Sequence, residues 1–129
     1  MSGLVKRKFF ERFTTTGSTL TWTKPSGVSV VWIETIGAGG GGGSGSGNNG
    51  TGSGGGGGAA FAWACFSADA LPATLDVIVG TGGAGGARQT SQTGGNNGSA
   101  GDHSQVDIPS GETDAGKVIL ISYGGGGGF

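Results

Sequence analysis

The sequence predicts an all-β fold: a small β-sandwich with glycine-rich segments extending from the ends of its strands. Short runs of β-branched and aromatic residues recur between turn residues, and no stretch has the apolar period of a helix. Runs of five glycines occupy residues 39–43, 54–58 and 124–128, and each starts or stops close to one of the apolar runs. At 129 residues the chain is expected to form mainly one domain.

Six strands are expected, with turn-rich connections between them. Residues 24–27 (KPSG) form a turn, because proline presets φ and glycine accepts a positive φ. The first 13 residues are open to two interpretations, a seventh strand with a solvated face or a docking arm. The six strands are predicted at residues 19–23, 28–36, 59–67, 74–80, 104–108 and 117–123.

The strand at residues 28–36 has apolar side chains at both alternating sets of positions, so both of its faces are expected to be covered. The single cysteine, Cys65, is expected to be a small buried apolar residue. The aromatic residues expected to stabilise the sandwich by burial are Trp22, Trp32, Phe61 and Trp63.

The glycine runs are predicted to be folded as polyglycine-II helices. A polyproline-II-like chain makes no internal hydrogen bonds, so all of its backbone groups can bond to neighbouring chains. Residues 44–53, rich in serine, asparagine and glycine, would let the first run turn back beside the second. The region of residues 81–103 is a long loop or a further glycine-rich layer. The alternative for all of these tracts is a flexible linker, the usual behaviour of Gly/Ser sequences.

Composition excludes several classes of protein. Glycine makes up 34 of the 129 residues, and only 12% of residues are charged, with a net charge of -1. A nucleic-acid-binding protein needs basic clusters, which are missing here. No apolar stretch is long enough to cross a membrane, and the first residues lack the apolar core of a secretory signal. One cysteine allows no internal disulfide, and an origin in the cytoplasm is expected.

Two patterns resemble chemical sites, and neither predicts one. Gly80 to Gly85 matches the dinucleotide pattern G-x-G-x-x-G, but the residues that follow have no helical period. His103 lies near Asp102 and Asp107, yet no second histidine or cysteine completes a metal site. No catalytic group, cofactor or metal is therefore expected.

The motif order resembles the glycine-rich domain of bacteriophage tail fibres and related virion proteins. That pattern runs Phe-Thr-x-x-Gly, Thr-Trp-x-x-Pro-x-Gly-Val, then a strand leading into polyglycine; a later landmark is LDVIVGTGGAGG at residues 75–86. The resemblance implies a non-enzymatic virion component, found in a fibre or at a tail tip. The residues that match the opening pattern are Phe13, Thr14, Gly17, Thr21, Trp22, Pro25, Gly27 and Val28.

Two functions follow from this resemblance. In the first, loops of a tail-tip module bind a host cell-surface receptor, with candidate residues Asn48, Asn49, Thr51, Asn96 and Asn97, and exposed Trp or Tyr side chains. In the second, residues 1–12 form an arm that attaches a head or tail decoration or connector protein to other virion proteins. The candidate residues of that arm are Lys6, Arg7, Phe9 and Phe10.

The chain is expected to consist of the arm at residues 1–12 and the glycine-rich sandwich at residues 13–129. A homo-oligomer is expected, with a trimer favoured, because subunits that share a lattice offset the entropy lost on ordering glycine. The protein would be located in the virion, without binding nucleic acid or inserting into a membrane.

Overall fold

The computed structural model describes residues 8–47, 52–90 and 94–129. Within these residues six strands form two antiparallel sheets, and a 3-10 turn spans Ala68–Ala70. All six predicted strands are confirmed, with ends that differ by at most two residues. Residues 8–13 form no strand, and residues 1–7 lie outside the described part of the chain. The strands are β1 (Thr19–Thr23), β2 (Val30–Ile36), β3 (Phe61–Ser67), β4 (Thr74–Ile78), β5 (Ser104–Asp107) and β6 (Val118–Ser122).

The two sheets pack face to face as a small sandwich. One sheet has the strand order β1-β4-β5-β6, and the other contains β2 and β3. Leu75 is the centre of the core at 1% exposure, and Leu71 and Val106 are buried beside it. Burying a side chain of this kind stabilises the fold by about 1.5–3 kcal/mol. The partly buried residues packed around this centre are Trp22, Val31, Ile33, Phe66, Val77 and Ile119.

The connections also link the two sheets. The ammonium of Lys24, just after β1, donates hydrogen bonds to the carbonyl oxygens of Ala68 (2.8 Å) and Leu71 (2.7 Å) in the turn after β3. Gly27 has a φ of 79°, as the predicted turn at residues 24–27 requires. Within the described residues, no helix has the length and hydrophobicity needed to cross a membrane.

Five glycine-rich segments extend from one end of the sandwich, and we number them I to V. Segments I, III and V leave β2, β4 and β6, while segments II and IV lead into β3 and β5. The first glycine run therefore turns back beside the second, as predicted. The five segments are I (residues 37–47), II (52–60), III (79–87), IV (94–103) and V (123–129).

The segments bond to one another through backbone groups at every third residue, which is the period of a polyproline-II-type helix. The amides of residues 37, 40 and 43 in segment I donate to the carbonyls of residues 60, 57 and 54 in segment II. The amides of residues 38, 41 and 44 donate to the carbonyls of residues 102, 99 and 96 in segment IV. This regular pairing shows folded polyglycine-II helices, so the linker alternative is wrong for the described residues.

The lattice has two layers. Segment I lies in the middle of a row between segments II and III, because it donates to segment II and accepts from the amides of Gly83 and Gly86. Segments IV and V form the second layer: Gly98 and Gly101 donate to segment V, which in turn donates to segment I. Over the part that is described, residues 81–103 thus belong to the glycine-rich lattice and not to a single long loop, with segment III in the first layer and segment IV in the second.

Glycine is required where the layers meet. A Cβ added to Gly40 would overlap the carbonyl oxygen of Gly126, and one added to Gly98 would overlap that of Gly41. Close backbone approach therefore explains the glycines at these positions, at an entropic cost of about 0.5–1 kcal/mol each relative to alanine.

The structure overturns three predictions about the sandwich. The outer face of β2 and β3 is exposed, with Trp32 at 57%, Ile36 at 65%, Phe61 at 56% and Trp63 at 55% exposure. Cys65 is exposed on the same face. The prediction that both faces of the strand at residues 28–36 are covered is wrong for this chain alone, because only one sheet packs against it. The predicted burial of Cys65 and of Trp32, Phe61 and Trp63 is wrong for the same reason.

Candidate binding surfaces

The lattice ends in polar loops on the side away from the strands, and we call this the distal end (residues 44–47, 86–90 and 94–97). Ser44 and Asn96 hold it together, since the amide of Ser44 donates to the carbonyl of Asn96 (2.8 Å) and the amide of Asn96 donates to Oγ of Ser44 (2.8 Å). These reciprocal bonds fix segment IV beside segment I at the point where both leave the lattice.

The predicted receptor residues separate into different roles. The side-chain amide of Asn96 donates to the carbonyl oxygen of Ala87 (2.9 Å), so this residue supports the loop. Asn97 is exposed beside it. Asn48, Asn49 and Thr51 lie outside the described residues. Residues 44–47, which precede them in the chain, belong to the distal end.

An open depression of about 540 Å³ lies at the distal end. Arg88 lines it and is exposed, and Gln89 and Thr90 line it from the same loop. Hydroxyl, amide and guanidinium groups in a shallow site suit a polar ligand held by hydrogen bonds. Sequence reasoning placed the loop but missed Arg88, the one charged side chain in the loop, which was visible in the sequence. The other residues that line the depression are Ser44, Gly45, Ser46, Gly47 and Gly86.

A second surface is the outer face of β2 and β3, which we call the aromatic face (Val30, Trp32, Ile36, Phe61 and Trp63). The rings of Trp32 and Trp63 stack with centroids 4.6 Å apart and planes within 3°. Nε1 of Trp32 donates to Oε1 of Glu34 at 2.9 Å. Apolar side chains this large on an open sheet face are typical of an interaction surface.

The sequence did contain a signal for this exposure. Glu34 has the same strand parity as Trp32 and Ile36, and a charged side chain marks a solvated face. The opposite parity of β3 holds Ala62 and Ala64, whose small size suits close packing against the other sheet. On β3, Phe61 and Trp63 therefore point outward, and Ala62 and Ala64 point inward.

Comparison with protein families agrees with the glycine-rich character of the chain. The family model described as a glycine-rich domain matches residues 14–129. The chain belongs to the glycine-rich domain family. No curated protein matches the chain significantly.

The residues before the glycine-rich domain include the predicted arm. Phe9 and Phe10 are exposed, and the guanidinium of Arg12 lies 6.0 Å from the ring centre of Phe10. Lys6 and Arg7 lie outside the described residues. The two phenylalanines are thus accessible to a partner.

The patterns that resembled chemical sites lie within the glycine-rich domain. The G-x-G-x-x-G stretch forms segment III, where the amide of Gly83 donates to the carbonyl oxygen of Gly39 (2.9 Å). His103 is exposed at the base of segment IV. Within residues 8–47, 52–90 and 94–129, no three His, Cys, Asp or Glu side chains gather as a metal site would require.

Proposed function

We propose that this glycine-rich domain is a non-enzymatic component of a bacteriophage virion and serves as a tail-fibre or tail-tip module in host attachment. The observation that carries the proposal is the lattice of cross-bonded segments that ends in polar loops. Binding residues are commonly found on loops that a rigid scaffold positions. Segment I holds its loop about 20 Å beyond β2, at about 3.1 Å per residue.

The distal end would contact a receptor on the host cell surface. Arg88, Gln89 and Asn97 would supply polar contacts there, together with Asn48 and Asn49 of the neighbouring loop. Asn96 would act indirectly by fixing the loop through its bond to Ala87. No cofactor or catalytic group is needed for this role, and the protein would be made in the host cytoplasm and assembled into the virion as a homo-oligomer.

Binding of the fluorescently labelled chain to a panel of bacterial strains, measured by flow cytometry, tests this role. The loop variant combines Arg88→Ser, Gln89→Ser and Asn97→Ser, and the matched control combines Thr19→Ser, Thr21→Ser and Thr23→Ser on β1. We expect the control to bind as the unchanged chain does and the loop variant to lose most binding. Equal binding by both variants, or no binding of the unchanged chain to any strain, would reject the attachment role.

A second candidate is a head or tail decoration or connector protein that binds other virion proteins. The exposed Phe9 and Phe10 favour it, since they lie next to Lys6 and Arg7 in a short segment ahead of the domain. Deleting residues 1–12 should then abolish incorporation into phage particles, measured by immunoblotting of purified particles. Incorporation at the unchanged level would exclude this candidate.

A further inference from the structure

The aromatic face continues into a surface that has no side chains. β2 leads directly into segment I, and segment II leads directly into β3, so the first lattice layer continues the two-stranded sheet. Ile36 and Gly39 are three residues apart and exposed, as are Gly58 and Phe61, which matches the three-residue period. We call the bare part the glycine floor (Gly39, Gly42, Gly55, Gly58, Gly82 and Gly85).

Contacts within the chain do not require glycine on this floor. A Cβ added to Gly42 would lie 3.6 Å from its nearest neighbour, the carbonyl oxygen of Gly54 in the same layer. A Cβ added to Gly55 or Gly58 would meet nothing within 4 Å. Glycine destabilises an ordered segment by about 0.5–1 kcal/mol relative to alanine. A bare floor therefore implies that something else lies against it.

The floor also carries backbone amides that bond to none of the neighbouring segments that the structure describes. Segments II and IV accept the amides of segment I on two sides, and this leaves the amides of Gly39 and Gly42 without an acceptor among the described residues. Segment I also lies against four neighbouring segments, whereas hexagonal packing of rods offers six positions. The two open positions are those above the floor.

We infer that the aromatic face and the glycine floor together form a self-association surface. Two copies pair about a two-fold axis, and the aromatic face of each copy packs on the glycine floor of the other. A two-fold pair uses the same surface on both copies, so it requires a surface that complements itself. Here the aromatic face, which includes Trp32 and Trp63, projects next to the flat glycine floor, and the two are of similar length. A two-fold axis places the aromatic face of each copy over the glycine floor of the other.

A second copy suits this surface better than the other possible occupants. Sugars need several polar groups around an aromatic ring, but Oε1 of Glu34 already accepts from Trp32, and Val30 and Ile36 are apolar. The arm of the same chain would cover the aromatic residues but would leave the floor open. The trimer favoured from sequence stays a prediction, while the symmetry of this surface favours a pair.

The size of the surface predicts a weak association. Seven residues of strand span about 23 Å and six residues of glycine helix about 19 Å. With a width of about 10–15 Å, each copy would bury on the order of 400–600 Å², at or below the low end for specific interfaces. The pair should therefore form in a concentration-dependent way, and this inference does not depend on the attachment role.

Analytical ultracentrifugation of the full chain tests the pairing. We expect a dimer at about 100 µM that dissociates on dilution, as a small interface would. Trp63→Asp should raise the dimer dissociation constant at least about tenfold, because it removes a central aromatic contact. The control Thr23→Asp on the outer face of β1, where the cross-strand partner is Thr74, should leave it unchanged. A monomer at all concentrations, or a dimer that Trp63→Asp does not weaken, would overturn the inference.

A second variant tests the floor without adding charge. Gly42→Ala with Gly55→Ala should leave the midpoint temperature of thermal unfolding of the dilute monomer at or above that of the unchanged chain. The same variant should weaken the dimer, because two methyl groups hold the two copies apart. Cys65 provides an independent readout, since its alkylation should slow as the dimer forms. Unchanged dimerisation in this variant would contradict the proposed packing. A chain that stays monomeric but binds glycans on an array through Trp63 would instead assign the face to carbohydrate.

Discussion

The two broad surfaces of this molecule differ in what occupies the outward positions of the backbone. On the four-stranded sheet most of those positions carry polar residues, among them Thr21 paired with Asp76, which is paired in turn with Asp107. On the two-stranded sheet they carry the aromatic face. Water can solvate the first surface at little cost, whereas the second exposes large apolar groups.

The same difference continues into the lattice. Exposed positions of segments IV and V include side chains such as Asn97, Ala100, Tyr123 and Phe129, with Gly126 as an exception. The corresponding outward positions of segments I, II and III form the glycine floor. Solvent alone can cover a surface that carries ordinary side chains. A surface that combines exposed aromatic rings with bare backbone is suited to packing against another protein backbone.

The largest effect on stability should come from the core between the two surfaces. Leu75→Ala should reduce the free energy of unfolding by about 2–5 kcal/mol, because Leu75 is 1% exposed and its removal leaves a cavity. Urea unfolding at low protein concentration measures this. Trp63→Ala, which truncates a larger but half-exposed side chain, should lose only about 0.5–1.5 kcal/mol from the lost stacking on Trp32. Equal losses would mean that the aromatic face is part of the core.

The contact between the lattice layers should give the next largest effect. Gly40→Ala should destabilise the chain by about 1–3 kcal/mol, because the new methyl group overlaps the carbonyl oxygen of Gly126 and forces the layers apart. Gly55→Ala is the matched control, and it should be neutral or stabilise by up to about 1 kcal/mol through a less flexible unfolded chain. Thermal unfolding of both variants gives the comparison, and a destabilised control would show that the floor is not open.

Amide hydrogen exchange should distinguish the two sides of segment I. In the monomer, the amides of Gly40 and Gly41 should be protected on the order of 10³-fold or more, since they donate to Gly57 and Ser99. The amides of Gly39 and Gly42 should exchange much faster. Uniformly fast exchange across all four would contradict a folded lattice. Slower exchange at Gly39 and Gly42 on raising the protein concentration would support pairing through the floor.

The smallest effect should come from the polar group on the aromatic face. Glu34→Gln keeps an oxygen that can accept from Nε1 of Trp32, so the free energy of unfolding should change by no more than about 0.5 kcal/mol. Chemical denaturation followed by tryptophan fluorescence measures the change. A loss above that range would show that the charge of Glu34 stabilises the sandwich through a further contact.

The sequence was most informative where its pattern acts locally. Runs of β-branched and aromatic residues between turns predicted all six described strands, and the positions of the glycine runs at strand ends predicted a lattice attached to the sandwich. It was less informative about side chains whose partners are distant in the chain. Asn96 was expected to face a receptor, but its amide bonds to Ala87, and this became visible only when segments III and IV were side by side.

The sequence alone determined the strands, the turns and the places where the backbone has no side chains, because propensity and steric freedom are properties of a few neighbouring residues. Only the tertiary structure decided which face of β2 and β3 is covered. Alternation divides a strand into two faces, but burial depends on how many sheets pack against it, and here only one does. The residues 30, 32 and 36 are therefore exposed although they are as apolar as the residues of the core.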